Sequence, residues 1–369
     1  MNNKFLITLI VLSLSLAAFL AGYLISRNDF TKQSANLGEG SILDRFDGSR
    51  SDSPENSSEE LFALSKRAVL SLTLSKEKDS VLYYDKGTGK VYEANPQNLN
   101  EKTVSDKPLS NLIDTIWSPN KKEVVSIFYD KNGKRFKYYN YQTQKTVDLG
   151  TTVKSLAFSP DGSHVAYFKS LGADSAIYVS APDGSSPRKI IDTRLSGLDI
   201  YWPSPEYISL KTTTDGRDSV YLLSLTGNLT KFVDEPGKVE VLWSAGGAKL
   251  LYSTRESNPQ TQGAEQSSYD GGNPMLFVKD TLSSSAKALD ISTQAYKCSW
   301  GINSEYIFCA IGRSGQGGED IYRIGLSGSR ELVATPGKST NTSQMILTGI
   351  EDYVIIVNST DGKIYAIKI

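Results

Sequence analysis

VKSLAFSPDGSHVAYF, residues 153–168, reads as a β-hairpin: a short apolar strand, a Ser-Pro-Asp-Gly reversal and a second apolar strand. Pro160 presets φ at the second turn position, and Asp161 and Gly162 tolerate the tight bend that follows. A single hairpin cannot bury its own apolar face. Blurred copies of this one recur along the chain, and recurrence at a fixed period is the signature of a repeat architecture.

The copies end their inner strands at TLS (73–75), IWSPN (116–120), AFSPDG (157–162), YWPSPE (201–206), LWSAGG (242–247), SWGINSEYIF (299–308) and LTGIEDYVIIV (347–357). Leu74 to Trp117 is 43 residues, Trp117 to Phe158 is 41, Phe158 to Trp202 is 44 and Trp202 to Trp243 is 41. A period of about 40–45 residues suits a four-stranded propeller blade. Third strands such as AIYVSAP (176–182) and SVYLLSL (219–225) follow the hairpins, and fourth strands such as RKIID (188–192) and TKFVD (230–234) follow those. The last copy runs out after three strands, at KIYAIKI. LFAL, residues 61–64, stands where its missing outer strand belongs, 11 residues before Ser75 as Val233 stands 11 before Ser244. The expected fold is therefore all-β: a seven-bladed propeller of four-stranded antiparallel blades, closed by strands from both termini so that no sheet edge stays open at the seam.

Composition agrees, with 20 tyrosines and 30 glycines against 3 methionines favouring many short strands joined by turns. The 40 basic and 41 acidic side chains give no excess of positive charge, so nucleic acid is not expected as a partner. SPDG hairpins followed by an IYV-type strand resemble the TolB-like, WD-repeat-like β-propellers of bacterial envelopes and of some peptidase accessory domains. The resemblance covers residues 61–369. It implies a propeller and an envelope setting, and it names no function.

Residues 5–25, FLITLIVLSLSLAAFLAGYLI, are 21 residues without a charge, bracketed by Lys4 and Arg27. About 20 apolar residues span a bilayer as a helix, whereas a signal-peptide core is shorter. Residues 1–27 are thus expected to be an uncleaved signal-anchor helix in the membrane, with the body extracytoplasmic, in the periplasm or on the cell surface. Tyr23 stands where a lipoprotein signal would need its cysteine. Residues 28–60 are rich in Ser, Asn, Asp, Glu and Gly and read as a disordered linker, spanning roughly 30 Å as a flexible coil. Residues 61–369 are the propeller domain.

No constellation demands a reaction or a cofactor. His164 is the sole histidine and follows the SPDG turn, where a half-exposed polar residue belongs. With one histidine and two cysteines a His/Cys zinc site is not expected. Gly312–Asp320 is glycine-rich but lacks the lysine and spacing of a phosphate-binding loop. Cys298 and Cys309 fall on paired strands of the sixth blade, so they are either a disulfide or two buried thiols. Three residues before the end of four inner strands stands a charge: Asp114, Asp199, Glu240 and Lys297. Inner strands surround the central channel, so these should form a partial ring at one mouth, able to hold a polar ligand or supply an acid and a base, or simply to begin strands at a solvated rim. An insertion in blade five (255–274) and the Gly312–Asp320 loop of blade six emerge on that same face, where Arg255, Tyr269, Asp270 and Arg313 are candidate binding side chains. The resulting expectation is a non-catalytic scaffold for an envelope protein or a polysaccharide, the alternative being a glycan hydrolase or lyase using two of the carboxylates.

Overall fold

The computed structural model describes residues 61–369, apart from 132, 173, 256–272, 316 and 337–339. The expected anchor (1–27), the expected linker (28–60), Tyr269 and Asp270 lie outside the described residues. No helix among the described residues is long and apolar enough to cross a membrane.

The described strands form seven four-stranded antiparallel sheets. Blade one is β2 (Val69–Leu74), β3 (Val81–Asp85), β4 (Val91–Asn95) and β5 (Asn100–Ser105); blade two is β6 (Leu112–Trp117), β7 (Glu123–Asp130), β8 (Gly133–Asn140) and β9 (Thr146–Asp148). Blade three is β10 (Val153–Phe158), β11 (Val165–Leu171), β12 (Asp174–Ser180) and β13 (Arg188–Asp192); blade four is β14 (Asp199–Tyr201), β15 (Tyr207–Thr214), β16 (Arg217–Ser224) and β17 (Leu229–Pro236). Blade five is β18 (Val239–Trp243), β19 (Lys249–Arg255), β20 (Pro274–Asp280) and β21 (Lys287–Ser292); blade six is β22 (Cys298–Trp300), β23 (Tyr306–Gly312), β24 (Glu319–Gly325) and β25 (Arg330–Ala334). Blade seven takes β26 (Thr342–Leu347), β27 (Tyr353–Asn358) and β28 (Ile364–Lys368) from one end of the chain and β1 (Leu61–Ala63) from the other. β1 pairs antiparallel with β28, Leu61 opposite Ile367 and Ala63 opposite Tyr365, which is the closure that LFAL predicts. The seam is sealed by Leu64 N–H to Ile364 O (2.9 Å) and by Ile364 N–H to Ser65 Oγ (2.9 Å).

A hydroxyl at the first turn position shapes the hairpins between first and second strands. Ser159 accepts Gly162 N–H on its carbonyl (2.8 Å) and His164 N–H on its Oγ (3.0 Å), so one residue closes both the turn and the strand entry. Ser75, Ser118, Ser244 and Thr348 do the same in blades one, two, five and seven. The fourth turn position is left-handed, a conformation that suits Gly162 at φ 75° but costs a side chain energy. Lys78 (φ 62°) and Lys121 (φ 60°) nevertheless occupy it in blades one and two.

Lys121 points inward, its Nζ donating to Thr73 Oγ1 at 2.8 Å across the blade boundary. Burial, aided by the like charge of Lys78, lowers its pKa from 10.5 to about 8. The folded chain gives up this proton near pH 8 and the unfolded chain only near 10.5, so stability rises with pH across that window. Relative to Lys121→Met, the wild type is expected to gain about 1–2 kcal/mol between those limits, the full shift being discounted for the partial exposure of the side chain. Urea unfolding of both proteins at pH 7.5 and 10 checks this; parallel curves would contradict it.

Apolar cores lie between blades rather than at the centre of the ring. Distinct buried clusters join blades two and three, three and four, four and five, five and six, six and seven, and seven and one. In the seventh-to-first cluster Leu64 packs with Val81, Tyr83, Ile355 and Ala366. The junction of blades one and two is built differently. Trp117 stacks on Tyr141 with centroids 5.8 Å apart, Tyr139 meets Tyr141 edge-on at 4.9 Å, and the Tyr84 and Tyr141 hydroxyls are 2.8 Å apart.

Candidate functional site

In each blade the inner strand runs from the mouth carrying the blade-to-blade connections to the mouth carrying the first hairpin turn. The second-to-third strand hairpins return to the first mouth, so the expected common face is the one observed. Asp114, Asp199 and Glu240 stand at that mouth, each with its own partner.

Asp114 Oδ1 accepts Ser71 Oγ–H (2.6 Å) and its neighbour's Thr115 N–H (2.8 Å), and Ser71 Oγ in turn accepts Thr115 N–H (2.8 Å). Ser71 lies at a register shift in β2 with φ 55°, a bulge that aims its hydroxyl at the next blade. Trp117 adds an indole hydrogen bond from Nε1 to Ser71 O (3.1 Å). Asp199 lies 3.8 Å from Lys211 Nζ, which is itself 3.3 Å from the buried Asp218. Glu240 pairs with Lys238 at 2.6 Å.

Asp199 and Glu240 do share one neighbour. The Tyr201 hydroxyl is pushed up first by burial, then by the negative charges of Asp199, Glu240 and Asp218, so it stays protonated at neutral pH. The junction of blades four and five thus gathers three carboxylates, Asp199, Asp218 and Glu240, with Lys211 and Lys238 among them.

Lys297 precedes β22 at the same mouth. A 3₁₀ turn over Ala295–Lys297 precedes β22 and delivers its ammonium into the junction of blades six and seven. There it donates to Glu319 Oε1 (2.5 Å) and Asn341 Oδ1 (3.0 Å), while Glu319 Oε2 accepts Thr342 N–H (2.7 Å) from β26. Arg313 is likewise held, by Asp320 (2.8 Å) and by the carbonyls of Glu319 and Pro336. Arg255 ends β19, opposite Pro274, at the root of the blade-five insertion. The Cys298 and Cys309 sulfurs are joined as a disulfide across the β22–β23 pair, with Cα atoms 4.1 Å apart.

These contacts expose a device that sequence reasoning did not find. At five junctions a side chain of one blade accepts a backbone N–H from the next inner strand or from the turn leading into it. Ser71 takes Thr115, Ser155 takes Ile200, Asp218 takes Val239, Ser253 takes Ala295 and Glu319 takes Thr342, at 2.7–3.0 Å. A buried N–H left unpaired would cost about 1–3 kcal/mol, so each clamp fixes the angle between neighbouring blades. The acids of this set carry a signal visible in hindsight: Asp218 and Glu319 each stand three residues before the tyrosine of a third strand, Tyr221 and Tyr322.

The same face carries large apolar side chains in water. Ile113 begins β6, Tyr129 and Leu171 end β7 and β11, and Tyr296 precedes β22; all four are exposed, Tyr129 by 60%. His164 is exposed on the opposite mouth, its ring Nδ1 beside Ser163 Oγ.

No protein-family model matches the chain, and no curated protein is significantly similar to it in sequence. Many solved structures share its fold. An oligogalacturonate lyase in complex with manganese is 10% identical, with a TM-score of 0.60 over 85% of this chain and 94% of that one. The β-propeller domain of the trilobed protease from Pyrococcus furiosus, described as having an open velcro topology, is 11% identical with a TM-score of 0.54 over 83% of this chain and 93% of that one. TolB from Acinetobacter baumannii also matches, at 12% identity and a TM-score of 0.42 over 81% of this chain and 78% of that one. Likeness at such identities speaks for fold alone. The seven four-stranded sheets make the chain a seven-bladed β-propeller, the fold its resemblance to the TolB-like and WD-repeat-like propellers implies, and the lyase and trilobed-protease structures share its fold.

Proposed function

We propose that this protein is a membrane-tethered, extracytoplasmic scaffold that binds an envelope protein, and catalyses no reaction, through the face where the inner strands begin. The observation that carries the reading is a division of labour on that face. Lys297 and Arg313 are taken up by contacts that hold blade six and its connection to blade seven, Asp114, Asp199 and Glu240 are engaged by neighbours, and Ile113, Tyr129, Leu171 and Tyr296 stand exposed beside them. Exposed aromatic and large aliphatic side chains on a rigid rim are what a protein partner buries.

β1 starts with Leu61 opposite Ile367, near the end of β28, so the chain enters the propeller from the hairpin-turn face.

A glycan hydrolase or lyase is the second reading, favoured by the negative charge that Asp199 and Glu240 both bring to bear on the Tyr201 hydroxyl. Each of those carboxylates has a lysine partner, which works against a free acid and base. Co-purification from detergent-solubilised membranes separates the readings. Deleting residues 256–272, or replacing Tyr129 with Ser, is expected to reduce a captured protein at least ten-fold while Asp199→Asn leaves it unchanged. A pull-down indifferent to both changes, or capture of a polysaccharide that the chain degrades only with Asp199 intact, would overturn the proposal.

A further inference from the structure

The junction of blades one and two encloses a cleft of about 570 Å³ where the other junctions carry apolar clusters. Its volume lies in the range of small-molecule sites, and its walls combine rings with a few polar groups. Phe128 and Tyr139 line it, Tyr84 and Tyr141 contribute their paired hydroxyls, and Pro108 and Leu109 of the interblade connection flank its opening.

The charges are asymmetric. Arg135 is neutralised by Asp130 and Asp148. Lys137 is half-buried over the Phe128 ring, its ammonium 5.2 Å from the centroid, and it stands opposite Asp148 on the neighbouring strand, whose carboxyl its charge helps to hold below the usual range. Lys107 adds a second, exposed cation at the rim. Tyr84 is pushed up to about 12 by burial and Tyr141 is pushed up too, so both present hydroxyls rather than phenolates at neutral pH. The cleft and its edge thus carry three cations, Lys107, Arg135 and Lys137, against two carboxylates, Asp130 and Asp148, and an excess of positive charge beside aromatic walls is the complement of an anion carried on a ring.

We propose that this cleft is a binding site for a small organic anion, a ring-bearing acid whose ring packs among Phe128, Tyr139 and Leu109 and whose acidic group pairs with Lys137. Tyr129 lines this cleft as well as standing on the partner-binding face, but the anion site does not rest on the partner reading. Two sources share this chemistry, an aromatic acid and a sugar acid, and the test distinguishes them.

The probe is 1-anilinonaphthalene-8-sulfonate, an aromatic sulfonate that brightens in apolar surroundings, titrated into the full chain in detergent at fixed ionic strength. One saturable site is expected on the folded protein. Lys137→Met should weaken it at least ten-fold and Lys137→Arg by no more than about three-fold, since the charge-assisted contact is lost in one and kept in the other. Competition by benzoate identifies an aromatic acid as the better ligand and competition by glucuronate a sugar acid; either supports the site, while benzyl alcohol and glucose should not compete. Urea midpoints of the variants confirm folding, and the competition arm stands on the wild type alone. Absence of saturable binding, an unchanged affinity in Lys137→Met, displacement by the neutral analogues as readily as by the acids, or displacement by neither acid would overturn the proposal.

Discussion

Replacing Glu319 with alanine is expected to lower the unfolding free energy by about 3–5 kcal/mol, although the residue lies in a loop-proximal strand end and touches no apolar core. Glu319 is 4% exposed and does two things at once, accepting Lys297 Nζ at 2.5 Å and the Thr342 N–H at 2.7 Å. Its loss leaves an ammonium half-buried beside Asn341 and a backbone donor without an acceptor at the start of β26. Chemical denaturation of the wild type, Glu319→Ala, Lys297→Met and the double variant gives the coupling energy. The Glu319→Ala cost should fall once Lys297 is already Met, because the stranded charge is then gone. A Glu319→Ala cost under about 1 kcal/mol would mean the clamp is ornamental.

A second large effect is expected at the opposite end of the chain. Leu64→Ala should cost about 3–4 kcal/mol, the middle of the range for a buried leucine, although only the first three residues of LFAL separate it from the expected linker. Leu64 is 5% exposed and belongs to the cluster that joins blade seven to blade one. Its backbone N–H to Ile364 O bond continues the β1–β28 pairing past Ala63. Denaturant midpoints read the effect. A change within about 0.5 kcal/mol, as for an ordinary surface site, would show that the N-terminal strand does not close the ring.

The ring was legible because its information is local and repeated. An apolar strand, a hydroxyl and a tight turn recur at an interval that one blade sets, and the offset between LFAL and the first hairpin matches that of an ordinary fourth strand. The same register placed Cys298 opposite Cys309 but left a disulfide and two buried thiols as alternatives, which the structure resolves as a disulfide. The clamps were hidden because each partner is a backbone amide in another blade. Nothing in the sequence around Asp218 names Val239, or around Glu319 names Thr342; only the packing of one blade on the next brings them together. Lys297 illustrates the limit. Counting back from Trp300 puts it with Asp114, Asp199 and Glu240, but the count does not show that its ammonium is taken up by Glu319 of a third strand and by Asn341 before the next blade. The blade one to two cleft was equally invisible, since Lys137 and Tyr139 read as an ordinary third strand and the volume beside them is set by how two sheets splay.

Most directly, the proposed binding face is tested by photo-crosslinking in native membranes, with p-benzoylphenylalanine introduced singly at Tyr129, Leu171, Ile302 and Ile350. All four positions are well exposed, at 60%, 55%, 63% and 76%, so accessibility does not bias the comparison. Tyr129 and Leu171 lie on the face where the inner strands begin, and Ile302 and Ile350 on the hairpin-turn face. The account predicts a discrete protein adduct from positions 129 and 171 and none from 302 and 350. Adducts confined to 302 and 350, or none from any of the four, would contradict it.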